Sequence, residues 1–203
     1  MEKKLSDMSL EELWKLFPIH LTEHQTDWRE WYAEEENLLK NRVSDIERIS
    51  HIGSTAISSI CAKPIIDILA EISREHKLSD YKEAIMNSGY ICMSETSDRI
   101  SFNKGYTENG FAERVYHLHL RYIGDNDEVY FRDYLIEHTD VALEYERMKL
   151  ELWKKYEFNR DGYTNSKTDF IQKYTEKAKL EYRDKNGAPL WTARHWGDRV
   201  WKG

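Results

Sequence analysis

His51-Ile52-Gly53-Ser54-Thr55, followed by Lys63-Pro64-Ile65-Ile66-Asp67-Ile68-Leu69, is the stretch on which the chain is read. The second segment is apolar and rich in β-branched residues, the pattern of a buried strand. Asp67 sits inside it. An ionised carboxylate in such a run is costly unless a metal, a cation or hydrogen bonds compensate it. The first segment supplies candidate partners. Gly53 lets the backbone approach a ligand and offer N–H donors, Ser54 and Thr55 carry hydroxyls, and Lys63 carries charge. A phosphate on the turn, with a hard cation such as Mg²⁺ between it and Asp67, would satisfy all of these groups together. An ordinary turn beside a compensated acid is the plainer alternative.

The match to a known pattern runs well past this stretch. His51 to Ala56 and Ala62 to Asp67 are followed by Tyr116-His117-Leu118-His119-Leu120 and Phe131-Arg132-Asp133-Tyr134-Leu135. Trp28 and Tyr32 lie upstream, and Lys167-Thr168-Asp169-Phe170-Ile171 downstream. On these motifs, in this order, the chain resembles the GrpB family, also catalogued as UPF0157, over residues 20 to 180. The resemblance implies an α/β (α+β) fold of the nucleotidyltransferase type seen in DNA polymerase β: a mixed sheet with flanking helices and a C-terminal helical cap. Enzymes of that superfamily hold a triphosphate on a Gly-Ser turn and Mg²⁺ on strand carboxylates. Fold is inherited more safely than chemistry.

One departure bears on the chemistry. Active members of the superfamily carry a second acid two positions after the first, because residues two apart on a strand share a face. Two carboxylates so placed converge on ions ~4 Å apart. Here that position is Leu69. Glu71 shares the face, but lies about 13 Å along the strand at ~3.3 Å per residue, too far to replace it.

The alternation in Tyr116-His117-Leu118-His119-Leu120 puts His117 and His119 on one face and the leucines on the other. Beside Asp67, two imidazoles and a carboxylate could surround an ion, a mixed set suited to Mn²⁺, Zn²⁺ or Fe²⁺ more than to Mg²⁺. The same histidines could contact phosphate or move protons, or simply form internal hydrogen bonds.

Composition bounds the rest. At 203 residues, 40% hydrophobic and 33% charged, the sequence describes one globular domain of core 20–180, with an N-terminal helix in 1–19 and a Trp-rich tail at 185–203. No apolar run approaches a membrane span and the N-terminus lacks a signal-peptide core, so a cytoplasmic protein without a membrane partner is expected. Cys61 and Cys92 are expected as reduced thiols, Cys61 as filler for the loop before Lys63. The net charge of -7 argues against a general nucleic-acid surface and leaves room for a small basic pocket that takes a nucleotide.

Pattern then assigns the elements. Ser9-Leu10-Glu11-Glu12 reads as a capping box opening a helix that Pro18 ends. A helix is expected over 26–42, with Glu34-Glu35-Glu36 on a solvated face. Strands are expected over 46–52 and 64–72, a helix over 78–88, and strands over 90–93, 99–105 and the histidine run, giving four to five strands. Arg99, Ser101 and Asn103 share a face that could look toward the same pocket as Asp67, with solvent the simpler destination. From 127 onward three helices follow, with Arg132 and Lys167 either contacting phosphate or pairing on the surface. Trp191, Trp196 and Trp201 make the tail a candidate for packing on the domain or for self-association.

The function expected from all this is binding of a nucleoside triphosphate with a divalent metal and transfer of its nucleotidyl group to a small acceptor. Gly53, Ser54, Thr55, Lys63 and Arg132 would bind phosphate, and Asp67, His117 and His119 would act as catalytic or metal-ligating groups. The alternatives are a non-catalytic nucleotide or phospho-metabolite binding module, and a metal-dependent hydrolase built on the two histidines.

Overall fold

The computed structural model describes residues 3–182. The Trp-rich tail at 185–203, and any self-association through it, lies outside the described residues. Helix α1 (Leu10–Leu16) opens on the capping box: Ser9 Oγ accepts from the Glu12 N–H at 3.3 Å, and Glu12 Oε2 accepts from the Ser9 N–H at 2.7 Å. Helix α2 (Asp27–Arg42) buries Trp28 and Leu39. It also corrects the solvated face expected at Glu34-Glu35-Glu36. Glu35 is buried and accepts two hydrogen bonds from Lys104 Nζ, at 2.8 and 2.9 Å, while Glu34 pairs with Arg114. The cause is tertiary: a hairpin from the far side of the sequence brings two cations onto this helix.

Five strands form one mixed sheet in the order β1 (Ile46–Ile52), β2 (Ile66–Ile72), β5 (Gly110–Tyr122), β4 (Arg99–Thr107), β3 (Ile91–Glu95). Only β2 and β5 run parallel. The helix expected over 78–88 is a 3-10 turn (Leu78–Tyr81) running into α3 (Lys82–Met86). Leu78 and Tyr81 are both buried, which the three-residue repeat of that turn permits. C-terminal to the sheet come α4 (Asp127–Glu137), α5 (Thr139–Tyr156), α6 (Arg160–Asn165) and α7 (Thr168–Glu181). Three helices were expected here. The fourth, α6, is six residues long and carries no apolar repeat; Asn159 Oδ1 caps it by accepting from the Gly162 N–H at 2.8 Å. The whole is a mixed sheet with flanking helices and a C-terminal helical cap, the α/β architecture expected.

Register turns alternation into two faces. Asp67 stands opposite His117, Leu69 opposite His119 and Glu71 opposite Arg121. The intervening Ile66, Ile68, Ala70, Ile72, Leu118 and Leu120 pack with Ile100 and Phe102 against Trp28, Leu39, Tyr81 and Ile85. Each such fully buried aliphatic side chain stabilises the fold by roughly 1.5–3 kcal/mol, so this face anchors the sheet. A second apolar cluster, including Phe131, Leu135, Tyr145 and Tyr174, binds the C-terminal helices to one another and to Ile57 and Ile60. The polar face of β2 and β5 looks into the space between them. Among the described residues no helix is long and apolar enough to cross a membrane.

Candidate functional site

Asp67 lies against the Gly53 turn. Gly53 has φ +72°, a conformation L side chains rarely adopt, and a Cβ built on it would lie 2.3 Å from Asp67 Oδ2. Glycine is thus required both by the turn and by the carboxylate packed on it. The other oxygen, Oδ1, is 3.1 Å from His117 Nδ1. On the far side of that ring, His117 Nε2 is 2.8 Å from the Tyr106 hydroxyl, which accepts from Arg160 Nη2 at 3.0 Å. Burial alone would raise the Asp67 carboxyl; the His117 hydrogen bond, then the two facing imidazoles of His117 and His119 and last Lys63, bring it down to about 2. Asp67 is therefore an anion at every physiological pH.

A cleft of about 760 Å³ opens in front of it, between the sheet and the C-terminal helices. Gly53, Ser54, Lys63, Asp67, His117 and His119 line it from the sheet side, and Lys149, Arg160, Tyr163 and Lys167 from the helical side. Lys149 is 2% exposed; its Nζ donates to Ser54 Oγ at 3.0 Å and to the Cys61 carbonyl. Lys63 and Lys167 both place Nζ over the Tyr163 ring, at 5.4 and 4.3 Å from its centroid. Among the described residues neither ammonium has a hydrogen-bond acceptor or an ion-pair partner. Burial, then the Lys167 and Arg160 charges, brings Lys63 down to about 7. Burial and Lys167 bring Lys149 to about 7, and burial brings Lys167 to about 8. Lys63, Lys149, Lys167 and Arg160 thus line the cleft together with Asp67, whereas its other acids, Asp127, Glu128 and Glu176, are more exposed; a polyanion would relieve this arrangement.

The other expected site residues fall in different places. The Thr55 hydroxyl donates to the Ile65 carbonyl at 3.2 Å and meets His51 Nε2 at 3.0 Å, which braces the turn from behind. Arg132 closes its fork on Asp133, at 2.7 and 2.6 Å, and donates from Nη1 to the His51 carbonyl at 2.7 Å. Both residues line the cleft, yet their polar atoms hold the motif together. His119 also lines the cleft, and its buried Nδ1 has no hydrogen-bond partner among the described residues. Burial holds the His119 ring down at about 4, hence neutral. Ser101 and Asn103 stand in register with His119 and His117 on this same sheet face, half-exposed and outside the cleft lining, while Arg99 is exposed and pairs with Asp125.

Sequence reasoning passed over Lys149, Arg160, Tyr106 and Tyr163. For Lys149 a signal existed: it follows Ala142 and Tyr145 at helical spacing on the buried stripe of α5, where a lysine is out of place. Arg160 and Tyr106 lie in segments with no such pattern.

Among the described residues no group of three or more His, Cys, Asp or Glu side chains is arranged to hold a metal ion. The ligand set expected from Asp67, His117 and His119 is incomplete because both ring nitrogens of His117 are engaged by Asp67 and Tyr106. A single carboxylate does fit Mg²⁺ where phosphate oxygens and water complete the shell. A second protein ligand is absent on β2: Leu69 is fully buried, and Glu71 is bonded to Gly124 and Asn126.

The family described as "GrpB protein" matches residues 18–177. The chain is 32% identical over 159 residues to "Glutamate-rich protein GrpB" of Alkalihalophilus pseudofirmus, covering 75% of this chain and 91% of that one. It is 30% identical over 174 residues to "UPF0157 protein YqkA" of Bacillus subtilis, covering 84% of this chain; the match spans 50% of that relative's length. In structure it is similar to the conserved protein GrpB from Enterococcus faecalis, with TM-score 0.70 and 28% identity, covering 80% of this chain and 99% of that one.

Proposed function

We propose, from the premise that this chain belongs to the GrpB family, that it binds a nucleoside triphosphate with one divalent cation and moves the nucleotidyl group to a small acceptor. One observation carries this reading: Lys63, Lys149, Lys167 and Arg160 surround the cleft in front of Asp67, and two of those lysines have no hydrogen bond or ion pair among the described residues. A triphosphate would meet these cations, and its burial there would restore the lysines to their charged forms. Ser54 and the Gly53 turn would fix a phosphate by short-range hydrogen bonds, with Lys149 braced on Ser54 Oγ behind them.

Asp67 would be the protein ligand of the cation, and Mg²⁺ bound there supplies Lewis-acid polarisation of a phosphoryl oxygen. Lys63, Lys167 and Arg160 would take up the charge that grows on the departing pyrophosphate. His117 orients Asp67. His119, neutral, would line the ligand's side of the cleft beside Asp67.

Leu69 favours a second reading, in which the same cleft binds a nucleotide or phosphorylated metabolite without transfer, since β2 offers it only one carboxylate. The hydrolase alternative loses its ligand geometry with His117 engaged at both nitrogens. Calorimetric titration of ATP, GTP, CTP and UTP with Mg²⁺ into wild type and Asp67→Ala decides among these. Binding to wild type, with loss of its Mg²⁺-dependent part in Asp67→Ala, is expected. Release of pyrophosphate then separates transfer from binding, and no binding of any of the four would end both readings.

A further inference from the structure

The chain of contacts Arg160–Tyr106–His117–Asp67 joins a helix of the C-terminal layer to the carboxylate of the sheet, and its two ends are chemically opposite. Arg160 is a donor only, permanently protonated. Asp67, as an anion, is an acceptor only. Between them lie two groups that can each donate and accept, the Tyr106 hydroxyl and the His117 ring.

Arg160 Nη2 donates to the Tyr106 oxygen at 3.0 Å. Among the described residues the Tyr106 hydrogen then has one acceptor, His117 Nε2 at 2.8 Å. With Nε2 accepting, the proton of a neutral ring resides on Nδ1, which faces Asp67 Oδ1 at 3.1 Å. Reading from the other end gives the same answer, because Asp67 can only accept. A doubly protonated ring would point Nε2–H at a tyrosine oxygen already receiving Arg160, and would leave the Tyr106 hydrogen without an acceptor among the described residues. Packing holds the Tyr106 ring in place on Phe17 and Phe111, at centroid distances of 4.8 and 5.2 Å, and the Arg160 guanidinium lies 5.6 Å from its centroid.

We infer that Tyr106 and Arg160 are positioning residues which keep the His117 ring proton on Nδ1, facing Asp67, so that Asp67 is held through Oδ1 and presents Oδ2 to a bound cation. The proton placement stands whatever the ligand; the use made of Oδ2 rests on the function proposed above. The lock also makes the sheet carboxylate depend on the docking of α6, since Arg160 is that helix's first residue. A ring whose tautomer is set by an acidic partner is a known device for orienting a reactive group.

The inference is tested by ¹⁵N spectroscopy of the histidine rings near neutral pH, with His117 assigned through His117→Gln. Wild type is expected to show a protonated, pyrrole-type Nδ1 and a pyridine-type Nε2. Tyr106→Phe keeps the ring packing and removes the lock; the Nε2 resonance should move toward that of an unbonded nitrogen, and both nitrogens should acquire the averaged shifts of two tautomers. Arg160→Met should move them in the same direction by less, because Tyr106 regains a free rotor. Wild-type protonation at Nε2, or at both nitrogens, overturns the inference, as do unchanged ring shifts in a folded Tyr106→Phe. The remaining amide spectrum reports folding. Tripolyphosphate titration of the same samples tests the proposed function separately: its failure would leave the tautomer result intact.

Discussion

Asp67 and Glu71 sit four residues apart on the same face of the same strand, and their surroundings could hardly differ more. Glu71 is fully buried and accepts from the Gly124 N–H and Asn126 Nδ2, each at 3.2 Å, and from Arg48 Nη1 at 3.4 Å. Both of its carboxylate oxygens are thus engaged among the described residues. Burial pushes its carboxyl up despite those bonds. Asp67 has one hydrogen bond among the described residues, from His117, and faces two ammonium groups that no other side chain there satisfies. A buried acid on a strand is therefore not by itself a site. What marks the Asp67 end is that the protein leaves its neighbours unmatched across an open cleft.

Gly53→Ala should break this comparison most sharply. The added Cβ meets Asp67 Oδ2 at 2.3 Å and must adopt φ +72°. Displacing the carboxylate from its cation should weaken Mg²⁺-dependent tripolyphosphate binding by more than about tenfold, beyond the loss of one charge-assisted contact. The strained backbone should also lower stability by about 1–3 kcal/mol. Calorimetry with tripolyphosphate and Mg²⁺, paired with thermal melts, reads both effects. Glu71→Ala should act at the opposite end with the opposite profile. It leaves the Gly124 N–H and the Asn126 amide without their acceptor, a loss of about 2 kcal/mol, while the folded fraction binds ligand as wild type does. Unequal binding in that variant would mean the two ends are not independent.

How much of this contrast was legible follows from where each partner comes from in the chain. The turn, the strand and Asp67 are contiguous, and the alternation of His117 and His119 predicts the shared face that the register with Asp67 and Leu69 then places beside β2. The rejection of Glu71 as a ligand rested on strand rise alone; its own partners, Gly124 and Asn126, lie beyond β5 and no local pattern announces them. Lys149 could have been read from its position on an apolar helical stripe. Tyr106 and Arg160 could not, because their meeting depends on the β4–β5 register and on a six-residue helix without a periodic signal. Glu35 was misread for the same reason: its partner Lys104 reaches it only through the folded hairpin.

If the cleft end is unmatched by design, removing a charge there should help the empty protein and harm the loaded one. Lys63→Met is expected to weaken tripolyphosphate binding about tenfold, near the ~1.4 kcal/mol of one charge-assisted contact. It should also raise the melting temperature of the free protein near neutral pH. The pH dependence fixes the sign. Lys63 binds its proton less tightly folded, at about 7, than unfolded, near 10.5. Its protonation therefore opposes folding most fully below about 7, and the penalty fades as pH rises toward 10.5. The stabilisation of Lys63→Met over wild type should shrink across that window. Asp67 behaves oppositely: lowered from 3.8 to about 2, its contribution is complete above 3.8 and is lost as pH falls through 2.

The smallest expected effect tests the comparison most finely. Tyr163 is 1% exposed and lines the cleft; its hydroxyl makes no hydrogen bond among the described residues, while its ring carries the Lys63 and Lys167 ammonium groups. Burial alone raises its phenol. Tyr163→Phe keeps the ring and so keeps both lysines in place, and stability should move by less than about 0.5 kcal/mol. A phosphate oxygen bonded to that hydroxyl would be worth about 0.5–1.5 kcal/mol, so tripolyphosphate affinity should fall about threefold. An unchanged affinity would make Tyr163 only a plate for the lysines. A stability loss as large as that of Glu71→Ala would place its hydroxyl among the groups the fold already satisfies, and would move the boundary between the two ends of the face.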